Sequence, residues 1–264
     1  MSGWLQALQA RADQPPQSPR EPLIAAHGAA GGASAFGSID AALAQRLVDA
    51  GLPLARQLGG WCVTGAPLNS ALAGIADGLR TLGLAGAWRN ELLSVDDESG
   101  AHIGAIERAA VRPLGIATHA VHLVGWAEQG GVWVQQRAFD KATDPGLWDT
   151  LMGGLMAAGE SVNDTLVRET WEEAGLHVEQ LRDVAARGTL TVRRPVTSGY
   201  MIEHIHVFDA TLPSGLVPQN QDGEVAAFAC LSVDELTRRL HDGAFTLEAA
   251  LILASNLRSR GAAI

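Results

Sequence analysis

Three glutamates define the chemistry open to this chain. Glu169, Glu172 and Glu173 are spaced i, i+3, i+4 within GLMAAGESVNDTLVRETWEEAGL, residues 154–176. On a helix they fall within an arc of roughly 100° and share one face. Carboxylates packed this closely raise one another's pKa and strain the helix unless a cation joins them. Oxygen ligands of this kind suit Mg²⁺ or Mn²⁺. A divalent ion bridging carboxylates and phosphate oxygens polarises phosphorus, lowers the pKa of a bound water and screens a leaving phosphate. An acidic helix face bathed in solvent is the plain alternative for a bare E-x2-E-E.

The surrounding residues say how such a face is held. Gly153, Gly154 and Gly159 make the approach a loop, because glycine tolerates backbone angles other residues avoid. Ser161 is the expected N-cap, with Asp164 three residues on, and Gly175 stands where a helix C-cap glycine belongs. Val162, Leu166, Thr170 and Ala174 step along a neighbouring apolar face that can pack on a sheet. Arg168 cannot ligate a cation and is expected to pair with Glu160, pinning loop to helix. Arg137 and Lys141 precede the glycine loop and are candidates to hold the distal phosphate of a substrate. Arg193 and Arg194 are weaker candidates for the same task.

Composition narrows the function classes. The chain has 264 residues and a formal charge of −10, from 19 Lys+Arg against 29 Asp+Glu. A broad basic surface for nucleic acid is therefore not expected. Cys62 and Cys230 are far apart, without metal-ligand spacing, which favours a reduced, cytoplasmic protein. MSGWLQALQARADQPP lacks the basic start and apolar core of a signal peptide. No apolar run reaches membrane-spanning length. A small-molecule partner is expected, and a homodimer is left open.

Two units are expected along the chain. Residues 1–112 read as a small α+β domain. They hold a short helix over 3–12, a Pro-rich break at 14–22, a small-residue loop at 27–37, helices over 39–50 and 70–82, and strands at 60–64, 91–95 and 102–107. From 113 to 264 the pattern changes to strands around helices. THAVHLVGWAEQGGVWVQQRA reads as two strands about a Gln-Gly-Gly turn. Strands follow at 188–195 and 200–213, and helices at 232–243 and 246–259, so an α/β/α sandwich is expected. His204 and His206 share a strand face with Ile202 and Phe208, and ordinary strand histidines are favoured over a zinc site. His119 and His122 point to opposite faces and read as structural. Trp61, Trp88, Trp126, Trp133 and Trp148 read as core, with one or two at the domain junction as ring-stacking candidates.

Residues 154–176 also fit G-x5-E-x7-R-E-U-x-E-E-x-G-U, where U is a bulky aliphatic residue. Gly154, Glu160, Arg168, Glu169, Glu172, Glu173 and Gly175 hold the fixed positions, with Thr170 and Leu176 in the U slots. The stretch resembles the Nudix box of hydrolases that cleave diphosphate linkages with a divalent metal. Thr170 departs by being polar, which bears on packing and not on the metal. The resemblance implies a Nudix α/β/α sandwich with a mixed sheet and a ligand set of Glu169, Glu172 and Glu173. It adds the carbonyl of Gly153 as a ligand candidate. Glu224, in DGEV, matches the extra glutamate of many such enzymes, as a fourth ligand or as the general base. WRNEL (88–92), IERAA (106–110), KATDPGLWD (141–149) and LPSGLVPQNQDGEVAAF (212–228) further resemble a two-domain subfamily often named thiamine pyrophosphokinase-related. That implies hydrolysis of thiamine diphosphate, or oxidised forms of it, to the monophosphate. The alternatives are a nucleotide-type substrate (an ADP-sugar, dinucleotide or nucleoside triphosphate) and a Nudix-fold sensor without hydrolysis. Retention of all four box glutamates and Arg168 speaks against the sensor.

Overall fold

The computed structural model describes residues 3–27 and 32–262. Helix α1 (Gly3–Ala12) precedes strands β1 (Arg20–His27) and β2 (Gly32–Asp40), helix α2 (Ala41–Asp49), strands β3 (Leu54–Gln57) and β4 (Gly60–Val63), and helix α3 (Leu68–Thr81). The strands form one sheet in the order β2-β1-β4-β3, with β1 parallel to β4 and the other pairs antiparallel. A hairpin of β5 (Leu92–Asp96) and β6 (His102–Glu107) and the short α4 (Arg108–Val111) follow. Leu23, Ile39, Leu72 and Ile75 close the core between this sheet and its helices.

The stretch 27–37 differs from the expected loop. From Gly32 onward it is strand β2, paired with β1, while residues 28–31 lie outside the described residues. Small side chains have little intrinsic preference for strand, and here pairing and the inward burial of Phe36 and Ile39 decide the conformation.

The second part of the chain forms a larger sheet. It comprises β7 (Ala117–Ala127), β8 (Val132–Arg137), β9 (Trp148–Asp149), β10 (Met152–Leu155), β11 (Arg182–Val196), β12 (Gly199–Leu212) and β13 (Val225–Leu231). The order is β11-β12-β7-β8-β13, with β10 on β7 and β9 on β8. Only the β12–β7 pair is parallel, so the sheet is mixed. Alternation along β7 supplies both faces. Val121 and Leu123 pack with Leu166 and Ala174 of α5 (Val162–Ala174). Ala120 and Val124 pack on the other side, with α6 (Val233–His241) and α7 (Leu247–Ser259). The result is an α/β/α sandwich.

Helix α1 belongs physically to that second layer. Leu5, Leu8 and Ala12 are buried in the same cluster as Leu251, Ile252 and Leu257 of α7. Strand β2 and the β5–β6 hairpin are also tied to the segments that flank the larger sheet's strands. Ser38 N–H donates to Leu114 at 2.9 Å, Ala158 N–H donates to Leu92 at 2.8 Å, and Arg20 reaches the Pro113 carbonyl at 2.7 Å. Leu155, at the end of β10, packs against both cores.

Leu8 is 6% exposed, so Leu8→Ala leaves a void under α7. We expect the variant to lose about 2–4 kcal/mol in urea unfolding. An unchanged midpoint would show that α1 does not pack there.

Candidate active site

The site starts with the caps of α5. Ser161 accepts from Asp164 N–H and Asp164 accepts from Ser161 N–H, a closed capping box. Gly175 ends the helix in the left-handed region, φ 63°. The polar Thr170 is accommodated because its hydroxyl donates to the Leu166 carbonyl at 2.5 Å, leaving no unmet group in the core.

Arg168 is the hub. It donates to both oxygens of Glu160 at 2.6 and 2.8 Å, to the Leu155 carbonyl at 3.1 Å, to Glu169 at 2.7 Å and to Glu172 at 3.0 Å. Those Arg168 bonds, with help from Ala157 N–H and Thr165, hold the Glu160 carboxyl down at about 2. The expected Arg168–Glu160 pair is present, and it fixes the loop after β10 to the helix.

Glu169 lies flat against Gly154. A Cβ at position 154 would meet the Glu169 carboxyl carbon at 1.9 Å, so any other residue would push that carboxylate aside. Burial lifts the Glu169 carboxyl to about 7; Arg168 pulls the other way, and Glu172 and Glu224 add to the rise. Glu173 is 3% exposed. It accepts from Gln135 Nε2 at 2.8 Å and from Gly153 N–H at 2.9 Å. Burial, with Glu169 and Asp149 nearby, pushes it up to about 8 despite those two bonds. His122 underlies Gly153, where a Cβ would strike the imidazole at 2.4 Å. That ring bonds the Thr150 hydroxyl at 2.9 Å and approaches Asp149 at 3.6 Å.

Gly153, Glu169, Glu173, Glu224, Arg137 and Lys141 line one cleft of about 420 Å³. That volume lies within the range of small-molecule sites. Glu172 is displaced outward, its side chain 43% exposed and held by Arg168. Glu224 sits at the rim and pairs with Lys141. Burial works to raise its carboxyl, but Lys141, with Arg108 and Arg137 further off, holds it below the usual range. The Arg137 guanidinium donates to the Thr143 carbonyl at 3.0 Å and approaches Asp149 at 3.7 Å. Arg193 lies elsewhere, paired with Asp13 at 2.8 Å, whereas Arg194 reaches the cleft and pairs with Glu248 at 3.4 Å. His119, His204 and His206 cluster on the opposite face of the sheet from His122. Trp88 packs under Arg80, 4.5 Å from its ring, and its neighbour Arg89 lines the cleft instead. A second cavity of about 380 Å³, between α1 and α6–α7, contains none of the box glutamates.

Sequence reasoning missed Gln135, His122 and Asp149 beneath the glutamates, and Arg89, Arg108 and Arg112 opposite them. Gln135 alternates inward along β8, which was a legible signal. The arginines lie in a separate sheet region, and no spacing rule brings them here.

Among the described residues, no three His, Cys, Asp or Glu side chains are gathered into a closed cation cage. Each box carboxylate is instead held by an N–H donor. The donor set nevertheless fits a hard divalent ion. Glu169 and Glu173 are carboxylates whose ionisation burial disfavours, and the buried Gln135 Oε1 beside Glu173 has no partner. Glu169, Glu172, Glu173, Glu224 and the Gly153 carbonyl are the groups that would hold it.

A sequence model of the NUDIX domain matches residues 117–251, just over half of the chain. The chain belongs to the Nudix family. Over 61% of its length it is 32% identical to Nudix hydrolase 20, chloroplastic, of Arabidopsis thaliana, covering 45% of that protein. Over 56% of its length it is 32% identical to an isopentenyl-diphosphate Delta-isomerase of Streptomyces coelicolor, covering 74% of it. The chain spans about half the length of the plant relatives it matches. Its fold resembles that of DR0079 from Deinococcus radiodurans, with a TM-score of 0.50 and 22% identity over 62% of this chain and 98% of that one.

Two predictions follow from the buried glutamates. Both carry folded pKa values, about 7 and about 8, above the ordinary 4.5. A group raised on folding contributes stability that is complete below its unfolded pKa and is lost as pH rises through the folded one. Metal-free protein should therefore lose stability as pH rises from about 4.5 to about 8, the interval between the unfolded and folded values. Mg²⁺ should raise its melting temperature most at the alkaline end, and Glu173→Gln should flatten the slope. Thermal melts in chelator across that range test this; equal slopes for the two proteins would refute it. Separately, Gly154→Ala should displace Glu169 and cost activity without unfolding the protein, as read by turnover and circular dichroism.

Proposed function

We propose that this protein is a metal-dependent hydrolase of diphosphate linkages, acting on thiamine diphosphate or an oxidised analogue and releasing the monophosphate. The observation that carries the reading is the pair Glu169 and Glu173, two buried carboxylates on one helix turn whose ionisation burial disfavours, Glu169 even with Arg168 beside it and Glu173 with only neutral donors. The relatives named Nudix hydrolase support the reaction class. The resemblance of WRNEL and IERAA to the thiamine pyrophosphokinase-related subfamily supports the substrate. A cytoplasmic setting is consistent with two unbonded cysteines and with no described helix being long and apolar enough to cross a membrane.

In this reading the chain's own residues divide the work. Glu169, Glu172 and Glu173 present carboxylate oxygens from one helix, with Arg168 holding the first two and Gln135 and the Gly153 N–H holding the third. A bound Mg²⁺ or Mn²⁺ would neutralise the diphosphate and make a water acidic enough to attack phosphorus. Glu224, held ionised by Lys141 at the rim, is the group available to take the water's proton. Arg137 and Lys141 lie on the cleft wall beside it, where a phosphate would exchange with their present partners.

Turnover should require Mg²⁺ or Mn²⁺ and rise toward alkaline pH. Glu173→Gln should lower kcat by about 10²-fold or more, by analogy with the loss of a single electrostatic contact at other active sites, with the fold retained. The deciding experiment is product analysis with thiamine diphosphate, its oxidised analogues, ADP-ribose, nucleoside triphosphates and isopentenyl diphosphate. Turnover confined to nucleotides would replace the substrate assignment. Isomerised product without phosphate release would replace the reaction class. Full turnover in metal-free protein would remove the mechanism.

A further inference from the structure

Six basic side chains line the cleft: Arg89, Arg108, Arg112, Arg137, Lys141 and Arg194. Five are engaged. Arg108 pairs with Glu91 at 2.7 Å, Arg112 with Glu203 at 2.6 Å, Arg137 with Asp149 at 3.7 Å, Arg194 with Glu248 at 3.4 Å, and Lys141 with Glu224. Arg89 alone has no ion pair or hydrogen bond at its guanidinium among the described residues.

The backbone around that free side chain is fixed with unusual care. The N–H groups of Arg89 and Glu91 donate to the two carboxylate oxygens of Glu107, at 2.9 and 3.1 Å, and Glu107 is 5% exposed. Asn90 between them occupies the left-handed region, φ 56°, which costs energy for a non-glycine residue. Its side chain accepts from Trp88 Nε1 at 3.0 Å, and the Trp88 ring is covered by Arg80. A buried carboxylate, a strained residue and an anchored indole thus hold the backbone at position 89, while the guanidinium they carry is left exposed. A side chain that merely solvates the surface needs none of this.

We propose that Arg89 binds a phosphate of the diphosphate substrate, so that the loop 88–91 is a substrate-positioning element brought to the site from outside the Nudix-matched segment. The inference rests on the proposed function for the identity of the substrate, and it adds Arg89 to the phosphate contacts proposed for Arg137 and Lys141. A guanidinium presents two parallel N–H donors that match two oxygens of one phosphate, and a lysine presents a single point charge. With Arg168 shielded behind Glu160, Arg89 is the cleft cation that a phosphate can meet without first breaking an ion pair.

The test uses the full-length protein with Mg²⁺ and compares wild type, Arg89→Ala and Arg89→Lys. Inorganic pyrophosphate is the probe, its affinity read by calorimetry, alongside KM and kcat for thiamine diphosphate. A lost charge-assisted hydrogen bond predicts about a tenfold to hundredfold weaker pyrophosphate affinity and a matching rise in KM for Arg89→Ala. Arg89→Lys should recover part of that loss, and kcat should change less than KM. Melting temperatures should stay equal, since the guanidinium has no hydrogen bond or ion pair among the described residues; a purely structural role would lower them instead. Pyrophosphate affinity within twofold of wild type in Arg89→Ala would overturn the proposal, as would wild type that does not bind pyrophosphate. Wild type that binds pyrophosphate but hydrolyses nothing would sink the proposed function alone, with Arg89 still judged by the affinity ratio.

Discussion

One cation is asked to balance too many anions. Arg168 touches Glu160, Glu169 and Glu172 at once, and a single guanidinium cannot neutralise three carboxylates. Glu160 takes most of its charge through two short bonds, which is why its carboxyl falls to about 2 while that of Glu169 stays near 7. Glu173 lies beyond that arginine and has only neutral N–H donors, so it rises further. A buried carboxylate without a counter-charge is costly, and the chain keeps one, Glu173, beside another, Glu169, that has only a share of one guanidinium. The rest of the fold serves to keep that imbalance rigid.

The rigidity is steric as well as electrostatic. Gly154 lets the Glu169 carboxylate lie against bare backbone, and Gly153 lets β10 pass over His122. Because β10 pairs with β7 in register Gly153↔His122 and Gly154↔Val121, the helix face is docked on the sheet through strand pairing as well as side-chain packing. Arg168 closes the arrangement by bonding the Leu155 carbonyl at the end of that strand. Strand, loop and helix therefore move as one piece, and a small displacement of any of them changes where the carboxylates stand.

How much of this was legible in the sequence depended on whether the cause was local. The box helix was readable because its caps, apolar face and internal salt bridge all lie within residues 153–176, and Ser161, Asp164, Arg168 and Gly175 act as their types dictate. The hairpin β5–β6 and the late helices were readable for the same reason. Strand β2 was not, since alanine, serine and glycine acquire strand structure from pairing with β1, a contact that periodicity does not reveal. The docking of α1 on α7 was hidden too, because its short apolar face is compatible with either core. Glu107 reads as an ordinary acidic residue in IERAA until the fold sets its carboxylate under the backbone of residues 89–91.

That last contact bears on what the family relation does and does not decide. The matched segment, residues 117–251, contains every box carboxylate and Glu224, and it is shared with relatives named as hydrolases and with one named as an isomerase. Arg89, Glu91, Arg108 and Arg112 face those carboxylates across the same cleft, yet all lie before residue 117. They are tied in by backbone bonds, from the β5–β6 hairpin to the loop after β10 at Leu92 with Ala158, and from β2 to the segment before β7 at Ser38 with Leu114. The residues that face the carboxylates from before residue 117 are therefore the ones placed to distinguish one ligand from another. The fixed loop at 88–91 is the part of that region built with the most constraint.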